Sequence, residues 1–237
     1  MRIAKRIYRE LLNVDKILEL HGQIKFFLGD VSIVVQQKDV VGSIIQEWLQ
    51  GWFDSRGIKY LPSQNTQMPP DFFLNLKDRT QDLLEVKAFN IESNPGFDIA
   101  DFRMFIEEIV EKPYMLDTDY LIFGYDMSDD GFVRIKNLWL KKVWEITRRM
   151  EDWALNLQIK RGMIHKIRPG VWYSNRARTI PMFQSLEHFI SAIVAVIAKS
   201  SGDNNARDWQ NQFVNSYESY YRIRLKIPKW DDIVTLY

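Results

Sequence analysis

PDFFLNLKDRTQDLLEVKAFN, residues 70–90, is where the reading of this chain begins. Two short apolar runs, Phe72 to Leu76 and Leu83 to Phe89, flank the polar turn KDRTQD, and that alternation predicts a β-hairpin. Side chains at i and i+2 of a strand share a face, so Glu85 and Lys87 project together while Val86 turns to the opposite face and anchors the strand. Hairpin pairing then brings Asp71, from the start of the first strand, beside them. Two carboxylates and one ammonium converge. Hard oxygen ligands from Asp71 and Glu85, with a backbone carbonyl such as that of Val86, suit Mg²⁺, which keeps several waters and binds phosphate oxygens. Phosphodiester hydrolysis calls for that arrangement: a cation neutralises the charge growing on the phosphate, and a positioned water attacks in line. Lys87 would orient or deprotonate that water. The plain alternative is a salt-bridged strand pair, Lys87 with Glu85 or Asp71.

Outward from the hairpin, helical spacing predicts a helix from the N-terminus to about Leu28, through Ile3, Ile7, Leu11, Val14 and Leu18. A second helix is expected from Asp39 to Phe53, with Gly57 ending it, and LPSQNTQMPP, residues 61–70, reads as a loop. After Asn94-Pro95-Gly96, a helix is predicted over Asp98 to Glu111. A second hairpin follows, with Tyr120 to Tyr125 and Phe132 to Ile135 flanking Asp129-Asp130-Gly131. Leu138 to Leu157 reads as helix, Ile164 to Tyr173 as strand or loop, and Ser185 to Lys199 and Ala206 to Tyr221 as two closing helices. The expectation is a single α/β domain with a mixed central sheet flanked by helices. Within it, residues 1–60 form an N-terminal helical part and 70–135 the catalytic core.

Composition narrows the function classes. With 237 residues, 46% of them hydrophobic, and 11 Gly and 8 Pro, the chain can bury its own core and is neither disordered nor collagen-like. The absence of cysteine removes disulfide scaffolds, thiolate zinc sites and cysteine nucleophiles, and suits a reducing compartment; the cytoplasm is expected. The apolar stretch Phe189 to Ala198 falls well short of the ~20 residues that cross a bilayer, so no membrane partner is expected. His21, His165 and His188 lack metal-ligand spacing. No glycine-rich nucleotide loop and no G-x-S-x-G elbow occurs. Residues 126–137 imitate the start of a calcium loop, but Asn137 stands where a bidentate Glu is needed, and the flanks read as strands.

A net charge of +1 conceals a strong asymmetry. From Asp71 to Phe132 there are 15 Asp and Glu against 5 Lys and Arg, whereas from Val133 to Arg178 there are 12 Lys and Arg against 3 Asp and Glu. Carboxylates for a cation followed by cations for phosphate suit a nuclease, although two solvated faces of opposite sign give the same count. The densest basic and aromatic segment, residues 158–178, supplies Lys160, Arg161, Lys166, Arg168, Asn175, Arg176 and Arg178 around Trp172 and Tyr173. These are the candidates for DNA contact, by guanine-reading forks or by phosphate binding. The loop Ser63 to Met68 is a second candidate.

PDFFLNL and LLEVKAFN, with the chain length and the α-β-β-α-β order, resemble the PD-(D/E)xK nuclease superfamily, and more closely the NgoBV-like type II restriction endonucleases. The resemblance implies a restriction-endonuclease-like core, Asp71 and Glu85 as Mg²⁺ ligands and Lys87 as the catalytic lysine. Because many such enzymes place a glutamate on a helix before the first strand, it also implies Glu47 in IIQEWLQGWF. A homodimer cutting double-stranded DNA at a short palindrome, GGNNCC, and leaving 5′-phosphate ends completes what the resemblance implies. A structure-selective repair nuclease and a non-catalytic DNA-binding module remain the alternatives from the residues alone.

Overall fold

Ala4, Ile7 and Leu11, spaced by three and four residues, give the first helix one wholly buried face. That helix opens a computed structural model that describes residues 2–65, 68–174 and 180–237. In chain order the elements are α1 (Ile3–Asn13), β1 (His21–Gln23), β2 (Lys25–Leu28), β3 (Val31–Val34), α2 (Val41–Ser55), β4 (Leu61–Pro62), β5 (Phe72–Phe73) and β6 (Leu83–Asn90). They continue as β7 (Ala100–Asp101), α3 (Phe102–Glu111), β8 (Asp119–Met127), β9 (Phe132–Lys141), β10 (Leu157–Lys160), β11 (Met163–Ile167), α4 (Leu186–Ser201), α5 (Asp203–Tyr221) and α6 (Trp230–Ile233). No helix among the described residues is long and apolar enough to cross a membrane. The chain gathers into two compact units: Met1–Ser63, Asp71–Phe97 and Asp119–Lys141 make the first, and Gln64–Pro70, Asp98–Thr118 and Lys142–Tyr237 the second.

The first unit is built on a six-stranded sheet ordered β1-β9-β8-β6-β5-β4. Only β6 and β8 run parallel, so the sheet is mixed, as the sequence predicts. Alternation along β6 turns Leu84 and Val86 to one face, where they join Leu121 and Phe123 of β8. Val41, Ile45 and Leu49 of α2, with Ala4, Ile7 and Leu11 of α1, complete that core. Each of the larger of these side chains contributes roughly 1.5–3 kcal/mol by leaving water, and together they fix the register of β6. The turn before β6 is held by short polar side chains. Asn75 Oδ1 accepts from the amides of Lys77 and Asp78, and Asp78 Oδ1 accepts from the amide and hydroxyl of Thr80.

The second unit contains the sheet β10-β11-β7 and helices α3 to α6. Asp101 caps α3 by accepting from the Met104 amide, and Ser185 caps α4 by accepting from the His188 amide. The Trp209 indole of α5 donates to the Ile106 carbonyl of α3 at 3.0 Å, and Tyr221 donates to Asp117 at 2.8 Å.

Three expectations change. The N-terminal helix ends at Asn13, and residues 21–34 form β1 and the β2–β3 hairpin, so the first sixty residues are not helical throughout. Gly29, at φ +56°, makes the tight turn of that hairpin, a conformation that L side chains resist. Leu138 to Leu157 is not a helix either: Leu138 to Lys141 extend β9, where the long pairing with β8 holds them as strand. The Asp129–Gly131 segment is a hairpin turn between strands, as its flanks predict.

Candidate active site

β5 pairs with β6 through Phe73 against Leu83 and Phe72 against Leu84, so one further step along the ladder sets Asp71 opposite Glu85. The Asp71 carbonyl accepts from the Ser63 amide at 2.8 Å, which ties its backbone to the segment after β4. Its carboxylate is held at both oxygens. Oδ2 accepts from the Val86 amide at 2.8 Å, and Oδ1 accepts from Nε2 of Gln46 at 3.0 Å. On β6, Lys87 Nζ lies 2.7 Å from Glu85 Oε1. The predicted face-sharing of Glu85 and Lys87 is present, and the Val86 side chain is buried on the other face.

The electrostatics follow from burial. Glu85 is only 4% exposed. Burial pushes its carboxyl up to about 7; Lys87 and the Asp71 amide oppose the shift, while the Asp71 carboxylate adds to it. Burial also raises Asp71, against the lowering effects of the Val86 amide, Lys87 and Gln46. Tyr120, which registers with Glu85 on β8, is held well above its ordinary value by burial and then by the two carboxylates. Two acids thus sit close enough to resist simultaneous ionisation, with the Lys87 ammonium beside them.

One oxygen of this cluster is unsatisfied. Glu85 Oε2 is buried and has no hydrogen-bond partner, an arrangement that costs about 1–3 kcal/mol or more when the group is charged. A divalent cation bound by Glu85 Oε2 and an Asp71 oxygen would relieve both that orphan and the like-charge repulsion, so the residues fit a hard cation. Among the described residues there is no cluster of three or more His, Cys, Asp and Glu, so the remaining ligands would be backbone carbonyl, water and phosphate oxygens.

The other predicted residues fall as follows. Glu47 is exposed on α2, near enough to Tyr60 to raise its phenol, whose shift is caused first by burial and then by Asp54. The residue that α2 presents to Asp71 is Gln46. Successive helical positions are rotated by ~100°, so neighbours do not face the same strand. The signal for Gln46 was available in the sequence: it follows the buried Ile45 and precedes the buried Leu49 by three, at the border of the apolar face. Lys160 and Arg161 are exposed at the β10–β11 turn. Lys166 Nζ is 3.8 Å from Asp101, and Arg168 pairs with Asp98. Asn175, Arg176 and Arg178 lie outside the described residues, as does part of the Ser63 to Met68 loop.

The NgoBV restriction endonuclease family model matches residues 1–237. A type II restriction enzyme of Neisseria lactamica, NlaIV, is 58% identical over 235 residues, which are 99% of this chain and 97% of that protein. Another, NgoBV of Neisseria gonorrhoeae, is 58% identical over 158 residues, 67% of this chain and 90% of that one. The solved structure of NlaIV restriction endonuclease superposes with a TM-score of 0.95 at 57% identity, covering 100% of this chain and 97% of that structure.

Proposed function

The chain belongs to the NgoBV restriction endonuclease family and is a type II restriction enzyme, and from that premise we propose that it hydrolyses double-stranded DNA with Mg²⁺ held by Asp71 and Glu85. The observation that carries this reading is the buried, partnerless Glu85 Oε2 set beside Asp71 and Lys87. When bound, Mg²⁺ supplies positive charge to the phosphate oxygens and lowers the pKa of a coordinated water. Val86 contributes its amide, which fixes Asp71, and is proposed to offer its carbonyl as a further ligand. Gln46 holds the second Asp71 oxygen, so the carboxylate is oriented before any ligand arrives.

Lys87 is the group placed to act on the attacking water. Its ammonium is drawn to Glu85 Oε1 in the resting site and lies near Asp71, so it can hold a water by hydrogen bond and stabilise the growing negative charge on phosphate. The water oxygen forms a bond to phosphorus while the bond from phosphorus to the 3′ oxygen breaks. The products are a 5′-phosphate and a 3′-hydroxyl. Lys160, Arg161, Lys166 and Arg168, with Asn175, Arg176 and Arg178, are proposed to contact the duplex. One chain carries one such trio and a duplex has two strands, so a homodimer on a palindrome is the proposed working form. The resemblance to NgoBV-like enzymes makes GGNNCC the target to test first.

A plasmid bearing GGNNCC sites tests the proposal. Incubation with Mg²⁺ gives discrete fragments, and EDTA abolishes them. Ligation after fragment recovery, without added kinase, reports 5′-phosphate ends. Random degradation, cleavage in EDTA, or cutting confined to branched DNA contradicts it.

A further inference from the structure

The β2–β3 hairpin stands apart from the six-stranded sheet as a two-stranded ribbon of its own. In its register Phe26 faces Ile33 and Leu28 faces Val31, and directly opposed residues share one face of the ribbon. All four are apolar and open to solvent, at 55% for Phe26, 72% for Leu28, 66% for Val31 and 52% for Ile33. Phe27, on the other face, is 66% exposed. An isolated hairpin is marginal in water, and this one is held at its base. There the Val35 amide donates to the Ile24 carbonyl at 2.9 Å, and Val34 packs so close to Gly131 that an added Cβ would lie 2.4 Å from it.

We infer that the Phe26, Leu28, Val31 and Ile33 face of this hairpin is the surface through which two copies of the chain associate. The inference rests on the dimeric nuclease reading above and assigns it a surface.

Area is the first argument. The exposed parts of Phe26, Leu28, Val31 and Ile33, all on this one face, amount to roughly 450 Å², within the range for the largest apolar patch on a typical monomer. Close by in the chain, Leu18, Leu20, Ile44 and Trp48 are each more than two-fifths exposed, and three of them line an apolar groove with Ile24. Together with that face these residues expose roughly 800 Å², which matches the ~800 Å² per partner of a standard interface. Charge is the second argument. From Gln23 to Gln37 only Lys25 and Asp30 are charged, so the ribbon has no net attraction for a phosphate backbone. A charge-depleted aromatic and aliphatic surface is what the centre of a protein interface is made of. A second copy is the partner that the one-trio-per-chain stoichiometry requires.

The test is the mass of the full chain in solution, by sedimentation or light scattering, for the wild type, Phe26→Ser/Ile33→Ser, Val31→Lys and Ile223→Ser. Ile223 is 66% exposed in the second unit and serves as the control. The wild type and Ile223→Ser run at twice 28.2 kDa, whereas both hairpin variants run as single chains, with a dissociation constant raised about 100-fold or more. Circular dichroism checks folding. Val31 is 66% exposed, so its replacement keeps the test open if the double variant unfolds. Cleavage by the hairpin variants is lost at dilute enzyme and returns when concentration restores two copies. Hairpin variants that associate like the wild type overturn the inference, as does a wild type that remains a single chain on DNA. The nuclease reading is judged separately, by whether the wild type cuts DNA with Mg²⁺ at all.

Discussion

The β5–β6 pair and the β10–β11 hairpin both carry the charged residues that the sequence marks for function, and they hold them in opposite ways. On β6, Glu85 is buried, its Oε1 is 2.7 Å from Lys87, and the neighbouring Asp71 is fixed at both oxygens by Val86 and Gln46. On β10–β11, Lys160 and Arg161 stand exposed at a turn, and Lys166 and Arg168 are engaged with Asp101 and Asp98. The contrast follows from the tasks. Bond breaking needs groups held to within a fraction of an ångström in a site of low dielectric, so burial and coupling serve it. Attraction of a polyanion needs only cations within reach of phosphate, so mobile side chains on an exposed turn suffice.

The sharpest way to break this contrast is to exchange a group on each side. Lys87→Ala is expected to lower cleavage about 10³-fold or more while leaving DNA affinity in Ca²⁺ within a few fold, measured by single-turnover cleavage and filter binding. A proportionate loss of binding would mean that Lys87 is only a phosphate contact.

Within the catalytic side itself, α2 offers a finer comparison between adjacent residues. Gln46→Ala is expected to cost about 10-fold in cleavage, because a partner that orients a ligand typically contributes 10–100-fold. Glu47→Ala is expected to leave the rate nearly unchanged, since that carboxylate is exposed. The reverse ranking in parallel rate measurements would return Glu47 to the site.

On the binding side, Lys160→Ala/Arg161→Ala is expected to weaken DNA binding a few fold and to reduce the salt slope by about 2, with the single-turnover rate at saturation unchanged. A changed rate with an unchanged slope would place these residues at the reacting phosphate.

The smallest effect concerns stability without cation. Glu85 titrates at 4.5 in an unstructured chain and about 7 in the fold, so between those values the folded state holds the extra proton. Its contribution is therefore most favourable below pH 4.5 and is lost as pH rises through about 7. The melting temperature in EDTA should fall by a few degrees from pH 5 to pH 8, a shift that about 1 kcal/mol produces in a chain of this size. Glu85→Gln should flatten the slope. An equal slope in the variant would assign it to other groups.

Much of this site was legible because strand periodicity and a polar turn are local signals. Asp71, Glu85 and Lys87 needed only a hairpin, and the strands on either side of Asp129-Asp130-Gly131 announced another. The errors came where local spacing competed with long-range pairing. Residues 138–157 read as helix in isolation, but Leu138 to Lys141 pair with β8 through a long ladder that no local signal announces. The predicted first helix reaches to about Leu28, over residues that form β1 and β2, although Gly29-Asp30 sits between KFFL and VSIV, a hairpin signature. Gln46 carries no sequence signal comparable to a carboxylate's, because an amide that holds a carboxylate looks like any polar residue at the border of an apolar helix face.

Direct titration of Mn²⁺ into the protein with a bound GGNNCC duplex, followed by calorimetry, tests the claim on which the catalytic account stands. The wild type should bind the cation, and Asp71→Asn and Glu85→Gln should each weaken that binding about 10-fold or more while still holding DNA. Undiminished Mn²⁺ affinity in both variants would contradict it and leave the trio as a salt-bridged strand pair.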